Sequence, residues 1–131
     1  MMYRQMKIKV LRGALEVLDG GKHWGQGYYE LNGDFCLSGA MFESACRQGL
    51  IEKQILDEGE VCYVDRVFGL QGYDDEIGFL ADRYTDESSL SVLVKEMGFA
   101  NVPKFNDADD TTYDDVEQLV NERIALLESE V

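Results

Sequence analysis

The sequence predicts a mainly α-helical, compact single domain of about five helices, with at most a short β-hairpin or two short strands. Three observations carry that expectation. Apolar residues recur at helical period near both ends of the chain. Glycines stand where those stripes stop. The 131 residues, 45% hydrophobic and 11% aromatic, are enough to enclose one core without a metal or a disulfide frame. We therefore read residues 1–131 as a single acidic α-rich domain.

The elements follow in order. Leu11, Ala14, Leu15 and Leu18 form a stripe with helical spacing, and Gly20-Gly21 ends it, so a helix is expected over roughly 5–19. The segment "HWGQGYYEL" then reads as a loop, with Tyr28 to Leu31 as a short strand or extended stretch before the turn "NGD". Asp34 is the expected N-cap of a central helix, "FCLSGAMFESACRQ", apolar nearly all round and stopped by Gly49. Gly39 inside it points to close backbone approach, because glycine in a helix interior costs about 1 kcal/mol against alanine. "LIEKQILDEG" reads as a short helix and "VCYVDRVFGL" as the best strand. "DDEIGFLADRY", opened by three acids, reads as helix, and a further helix runs over about 87–97 up to Gly98. "ANVPKFNDADD" reads as loop. The last helix carries the stripe Tyr113, Val116, Leu119, Val120, Ile124 and Leu127, with Thr112 and Asp115 at capping-box spacing.

Charge is the most unusual property. The formal net is −14, unevenly placed: residues 1–56 hold 6 acids and 7 bases, whereas residues 57–131 hold 20 acids and 5 bases. Direct nucleic-acid binding is disfavoured, since that affinity comes largely from Lys and Arg displacing counterions. An acidic face steers association with a basic protein instead, and Asp74, Asp75, Glu76, Asp109, Asp110 and Asp114 are its candidate residues. No apolar run approaches the ~20 residues of a membrane span. The N-terminus lacks the apolar core and cleavage site of a secretory signal. Three cysteines in a chain read as unexported imply reduced thiols and a cytoplasmic location, in a bacterial cell or a phage-infected host.

Several groups invite chemistry. Cys36, just inside a helix start, and His23, the only histidine, are the candidate catalytic pair of a hydrolase, because helix N-termini favour a thiolate. Against that pairing, Asp34 places a carboxylate beside the thiol, and Phe35, Leu37 and Ala40 give it apolar surroundings. Trp24, Gln26, Tyr28 and Tyr29 are candidate ligand-binding residues for a nucleotide or metabolite, and equally the seam of a core. No metal set and no cofactor is expected. The cysteines lack zinc spacing, and a calcium loop begun at Asp107 would have Thr112 where glycine is needed and Gln118 where glutamate is needed. Asp107-x-Asp109-x-Thr111 matches a phosphatase nucleophile pattern, but it stands near the end of the chain with no α/β domain after it.

Four spaced motifs remain: Trp24-x-Gln26-Gly27, Cys36-x-x-Gly39-Ala40, Asn106-Asp107, and Thr112-x-x-Asp115-Val116. Together they resemble a family of small uncharacterised domains of bacterial and phage genomes, classed as of unknown function. The resemblance spans about 10–127, with Phe105 where that pattern typically has tryptophan. It implies a compact α-rich fold in which these positions hold the core together, and a phage or mobile-element origin. It implies no catalytic residue. The expected function is that of a small acidic interaction protein that binds and inhibits a basic partner, such as a nucleic-acid-binding protein.

Overall fold

The computed structural model describes residues 2–28, 30–49, 51–55, 61–65, 71–73, 90–100 and 102–129. Its elements in chain order are α1 (Met2–Leu18), a 3-10 turn (Asp19–Gly21), β1 (Glu30–Leu31), β2 (Asp34–Phe35), α2 (Leu37–Arg47), β3 (Ile51–Ile55), β4 (Val61–Asp65), β5 (Gln71–Tyr73), α3 (Leu90–Glu96), α4 (Val102–Asp107) and α5 (Tyr113–Ser129). The mainly α class holds. The structure adds a three-stranded antiparallel sheet, order β3-β4-β5, to the short β1-β2 hairpin.

The core forms where the helical stripes meet. Leu11, Ala14 and Leu18 of α1 face Met41, Phe42 and Ala45 of α2, all essentially inaccessible to solvent. Val116, Val120 and Leu127 of α5 close the same core. Each such Leu or Phe removed from water stabilises the fold by about 2 kcal/mol before chain entropy is counted. The α1–α2 approach is close enough that a Cβ on Gly13 would collide with Ser44 Oγ. That hydroxyl donates to Val10 O at 2.8 Å and accepts from Gln48 Nε2 at 2.9 Å. The small residues of α2 thus serve close helix contact, as its composition suggests.

Three local expectations are corrected. Cys36, not Asp34, is the N-cap of α2: its backbone is extended (φ −77°, ψ 173°) and its Sγ accepts from Gly39 N at 3.3 Å. Asp34 is instead paired in β2, because the two-residue turn at Asn32-Gly33 draws it into register with Leu31. The segment read as a helix from residue 50 is strand β3, since Ile51 to Ile55 finds a full antiparallel partner in Val61 to Asp65 and tertiary pairing overrides a weak local preference. The stretch read as loop before Asp109 contains α4. The strand expected at "VCYVD" is β4, and the helix expected over about 87–97 is α3. It ends in a Schellman arrangement, with Phe99 N donating to Val94 O at 2.9 Å and Gly98 N to Lys95 O at 3.0 Å. The helix expected in "DDEIGFLADRY" lies outside the described residues. The capping box of α5 is present: Thr112 N donates to Asp115 Oδ2 at 2.9 Å and Asp115 N to Thr112 Oγ1 at 3.4 Å.

Candidate functional site

The loop from Lys22 to Tyr28 and the end of α4 meet at one buried residue, Asn106. Its side chain is fully enclosed (0% exposed) and uses its whole hydrogen-bonding capacity. Oδ1 accepts from Trp24 Nε1 at 2.7 Å and from Leu37 N at 3.0 Å. Nδ2 donates to Gly25 O at 3.0 Å and to Asp107 Oδ1 at 3.0 Å. Indole and backbone N–H groups only donate, so the amide can stand in one orientation alone. Through Oδ1, Asn106 satisfies a backbone donor in the first turn of α2 that the helix itself leaves without a partner.

The neighbours extend the clasp. Gln26 Nε2 donates to Asn106 O at 2.8 Å and to Ala108 O at 3.0 Å. Gly27 N donates to Asp107 Oδ1 at 2.9 Å. The opposite edge of the loop pairs with β2: Phe35 N donates to His23 O at 2.7 Å and Gly25 N to Phe35 O at 2.9 Å. Trp24 is half-buried against the core, and its ring centroid lies 6.4 Å from that of Tyr113. The Tyr28 side chain folds over Gly25. The indole N–H of Trp24 and both N–H groups of Gln26 are therefore engaged by α4 and the turn after it. Tyr29 lies outside the described residues.

Among the described residues no hydrogen bond joins Cys36 to His23. The thiol is buried and bonded to Gly39 N, and burial pushes its pKa up to about 11 against a reference of 9.0. The Gly39 N–H works in the opposite direction but is outweighed. At neutral pH the group is a thiol, and desolvation opposes the thiolate that nucleophilic attack needs. His23 Nδ1 lies on the surface, 3.3 Å from Asp34 Oδ1. Among the described residues, no three His, Cys, Asp or Glu side chains gather where they could hold a metal ion. No helix among them is long and apolar enough to cross a membrane.

Of the candidate acidic face, Asp109, Asp110 and Asp114 are exposed in the turn after α4 and the first turn of α5. Asp74, Asp75 and Glu76 lie outside the described residues. The structure adds Glu117 and Glu122, exposed on α5, which sequence reasoning did not single out, and Asp115, exposed there too but read from the sequence only as the capping-box acid. Helical period is the signal that could have found them, since these acids fall between the apolar positions of the stripe.

A helical domain closed by a loop hydrogen-bonded onto a short helix is a class defined by its structural ties. Three of the four motifs noted in the sequence fall on this clasp or on the α2 start that it caps. The chain belongs to a family of unknown function, DUF6197, which matches residues 2–126. No curated protein and no solved structure matches.

Proposed function

We propose that the protein is a small interaction module that docks on a basic protein surface through the carboxylates of the α4–α5 turn and α5. The observation that supports this reading is the one-sided charge of α5. Asp114, Asp115, Glu117, Glu122 and Glu128 are exposed, whereas the only base in the helix, Arg123, is buried at 2% exposure. Glu128 is paired with Arg12 at 2.7 Å, which leaves the acids toward the N-terminal end to face outward. A surface of this kind raises the encounter rate with cationic partners and rejects acidic ones. A nucleic-acid-binding protein fits it, because its Lys and Arg already recognise ordered negative charge. Occupancy by this domain would then exclude nucleic acid. The accompanying cytoplasmic reading rests on the odd number of cysteines, three in the chain.

The test is displacement of a fluorescent DNA duplex from purified basic DNA-binding proteins by the intact chain. Displacement is expected at low salt and is lost near 1 M, where screening acts within about 3 Å. Reversing charge with Asp109→Lys, Asp110→Lys and Asp114→Lys together should abolish it while leaving the circular dichroism spectrum unchanged. Displacement that survives high salt, or that the reversed variant retains, would sink the reading.

A further inference from the structure

The hairpin joining β1 to β2 turns on Asn32-Gly33, both exposed. Asn32 has φ 53° and Gly33 φ 86°, the two left-handed residues of a type I′ turn. Gly33 N makes no hydrogen bond among the described residues, and nothing stands within 4 Å of where a Gly33 Cβ would be. The Asn32 carboxamide is likewise without a partner there. Asn32 is the only asparagine of the chain followed by glycine: Asn101, Asn106 and Asn121 precede Val102, Asp107 and Glu122, whose side chains shield the backbone nitrogen.

From this arrangement we propose that Asn32 is a site of spontaneous modification, converting through a cyclic imide to a mixture of isoaspartate and aspartate. The Gly33 backbone nitrogen attacks Asn32 Cγ, and its proton passes to the departing amide nitrogen. The Cγ–N bond breaks, ammonia leaves, and a five-membered imide remains. Water then adds to either imide carbonyl and opens the ring, with no oxidant or reductant involved. Attack at the main-chain carbonyl routes the backbone through the former side chain and gives isoaspartate. Ring closure requires the turn to leave its left-handed conformation. That opening is cheap, because the hairpin has only two residue pairs, Glu30 with Phe35 and Leu31 with Asp34, and a hairpin so short has little stability of its own.

The product alters more than charge. Isoaspartate inserts one extra main-chain carbon into a two-residue turn, and the register of a hairpin is set by its turn. Phe35, at the end of that register, carries the two backbone bonds that hold the clasp loop to β2. Isoaspartate at position 32 therefore loosens the loop edge around Phe35 and Gly25, whereas ordinary aspartate, which tolerates the left-handed region, leaves it in place.

Incubation of the intact protein in warm, mildly alkaline buffer, followed by peptide mapping with fragmentation that separates the two linkages, tests the proposal. Conversion at Asn32 is expected to run at least about tenfold faster than at Asn106 or Asn121, because the Asn106 amide is held by four hydrogen bonds and the Glu122 side chain shields the nitrogen after Asn121. The Asn32→Gln variant should show no conversion at this position, because its longer side chain closes the ring poorly. The isoaspartyl fraction, separated from unconverted chain by its added negative charge and from the aspartyl product by reversed-phase chromatography, should exchange the Phe35 and Gly25 amide hydrogens faster than the Asn32→Asp variant, which carries the same charge with a normal backbone. Conversion at Asn106 or Asn121 that matches Asn32, or an unchanged acidic shift in Asn32→Gln, would overturn the modification site. Equal exchange in the isoaspartyl fraction and Asn32→Asp would overturn its consequence for the clasp.

Discussion

At the scale of single residues, Asn106 and Cys36 show how little a residue type says about its role before its partners are known. Replacing Asn106 by alanine leaves the Trp24 indole N–H, the Leu37 N–H and the Gly25 carbonyl without the partners they have now. Unsatisfied buried polar groups are expensive, so Asn106→Ala should lose roughly 3 kcal/mol or more in urea denaturation. Cys36 gives a pH dependence with a definite sign. Its folded pKa, about 11, lies above the reference of 9.0. The stabilisation it contributes is thus fully present below pH 9.0 and is lost as pH rises toward about 11. Cys36→Ser, which keeps a cap acceptor for Gly39 N, should flatten the decline over that interval when stability is measured across it. The wild-type thiol should also resist iodoacetamide at neutral pH until the protein is unfolded. The apolar neighbours of Cys36 pointed to a buried thiol, which the structure shows, but neither its cap nor the Asn106 clasp was legible in the sequence. A bond between residues 82 apart, such as Trp24 to Asn106, leaves no periodic trace, and Asp34 is a better capping type than the cysteine that actually caps.

At the scale of elements, legibility followed periodicity. The α5 stripe was readable because its core-facing positions repeat at helical spacing and its capping box is local in sequence. The α1 stripe was readable for the same reason. Strand β3 was not, since five residues with mixed polarity fit a helical turn as well as a strand, and only the β4 partner decides. The α1–α2 contact offers a quantitative check. Gly13→Ala should destabilise by about 1–3 kcal/mol, because the added methyl meets Ser44 Oγ and then Gln48 Nε2 at 3.1 Å. Pairing it with Ser44→Ala removes the obstructing oxygen, so the double variant should lose less than the sum of the two singles. Full additivity in denaturation curves would show that the two helices are not in contact there.

For the molecule as a whole, the net charge of −14 acts on stability as well as on association. Carboxylates crowded on α5 and the turn before it repel one another in the folded state more than in an expanded chain. The melting temperature should therefore rise as sodium chloride increases from a few millimolar to about 0.5 M, where screening shortens to a few ångströms. The triple charge reversal at Asp109, Asp110 and Asp114 should reduce that salt response. A melting temperature insensitive to salt would mean that the acids are too far apart or too well hydrated to interact. The acidic balance of the C-terminal half was plain from composition; its concentration on one helix face became visible only once Arg123 was found on the inner side.

The Asn106 clasp also bears on how the chain reaches its fold. Its bonds tie residues 69 to 82 positions apart, so closing them costs chain entropy that local helix formation does not. The clasp bonds need exact polar geometry, whereas α1, α2 and α5 meet through apolar faces, so the clasp is expected to close after the rate-limiting barrier. Asn106→Ala should accordingly leave the refolding rate nearly unchanged and appear almost entirely as faster unfolding. The clasp is then a latch on a structure already assembled, setting how long the native state lasts and not how quickly it forms.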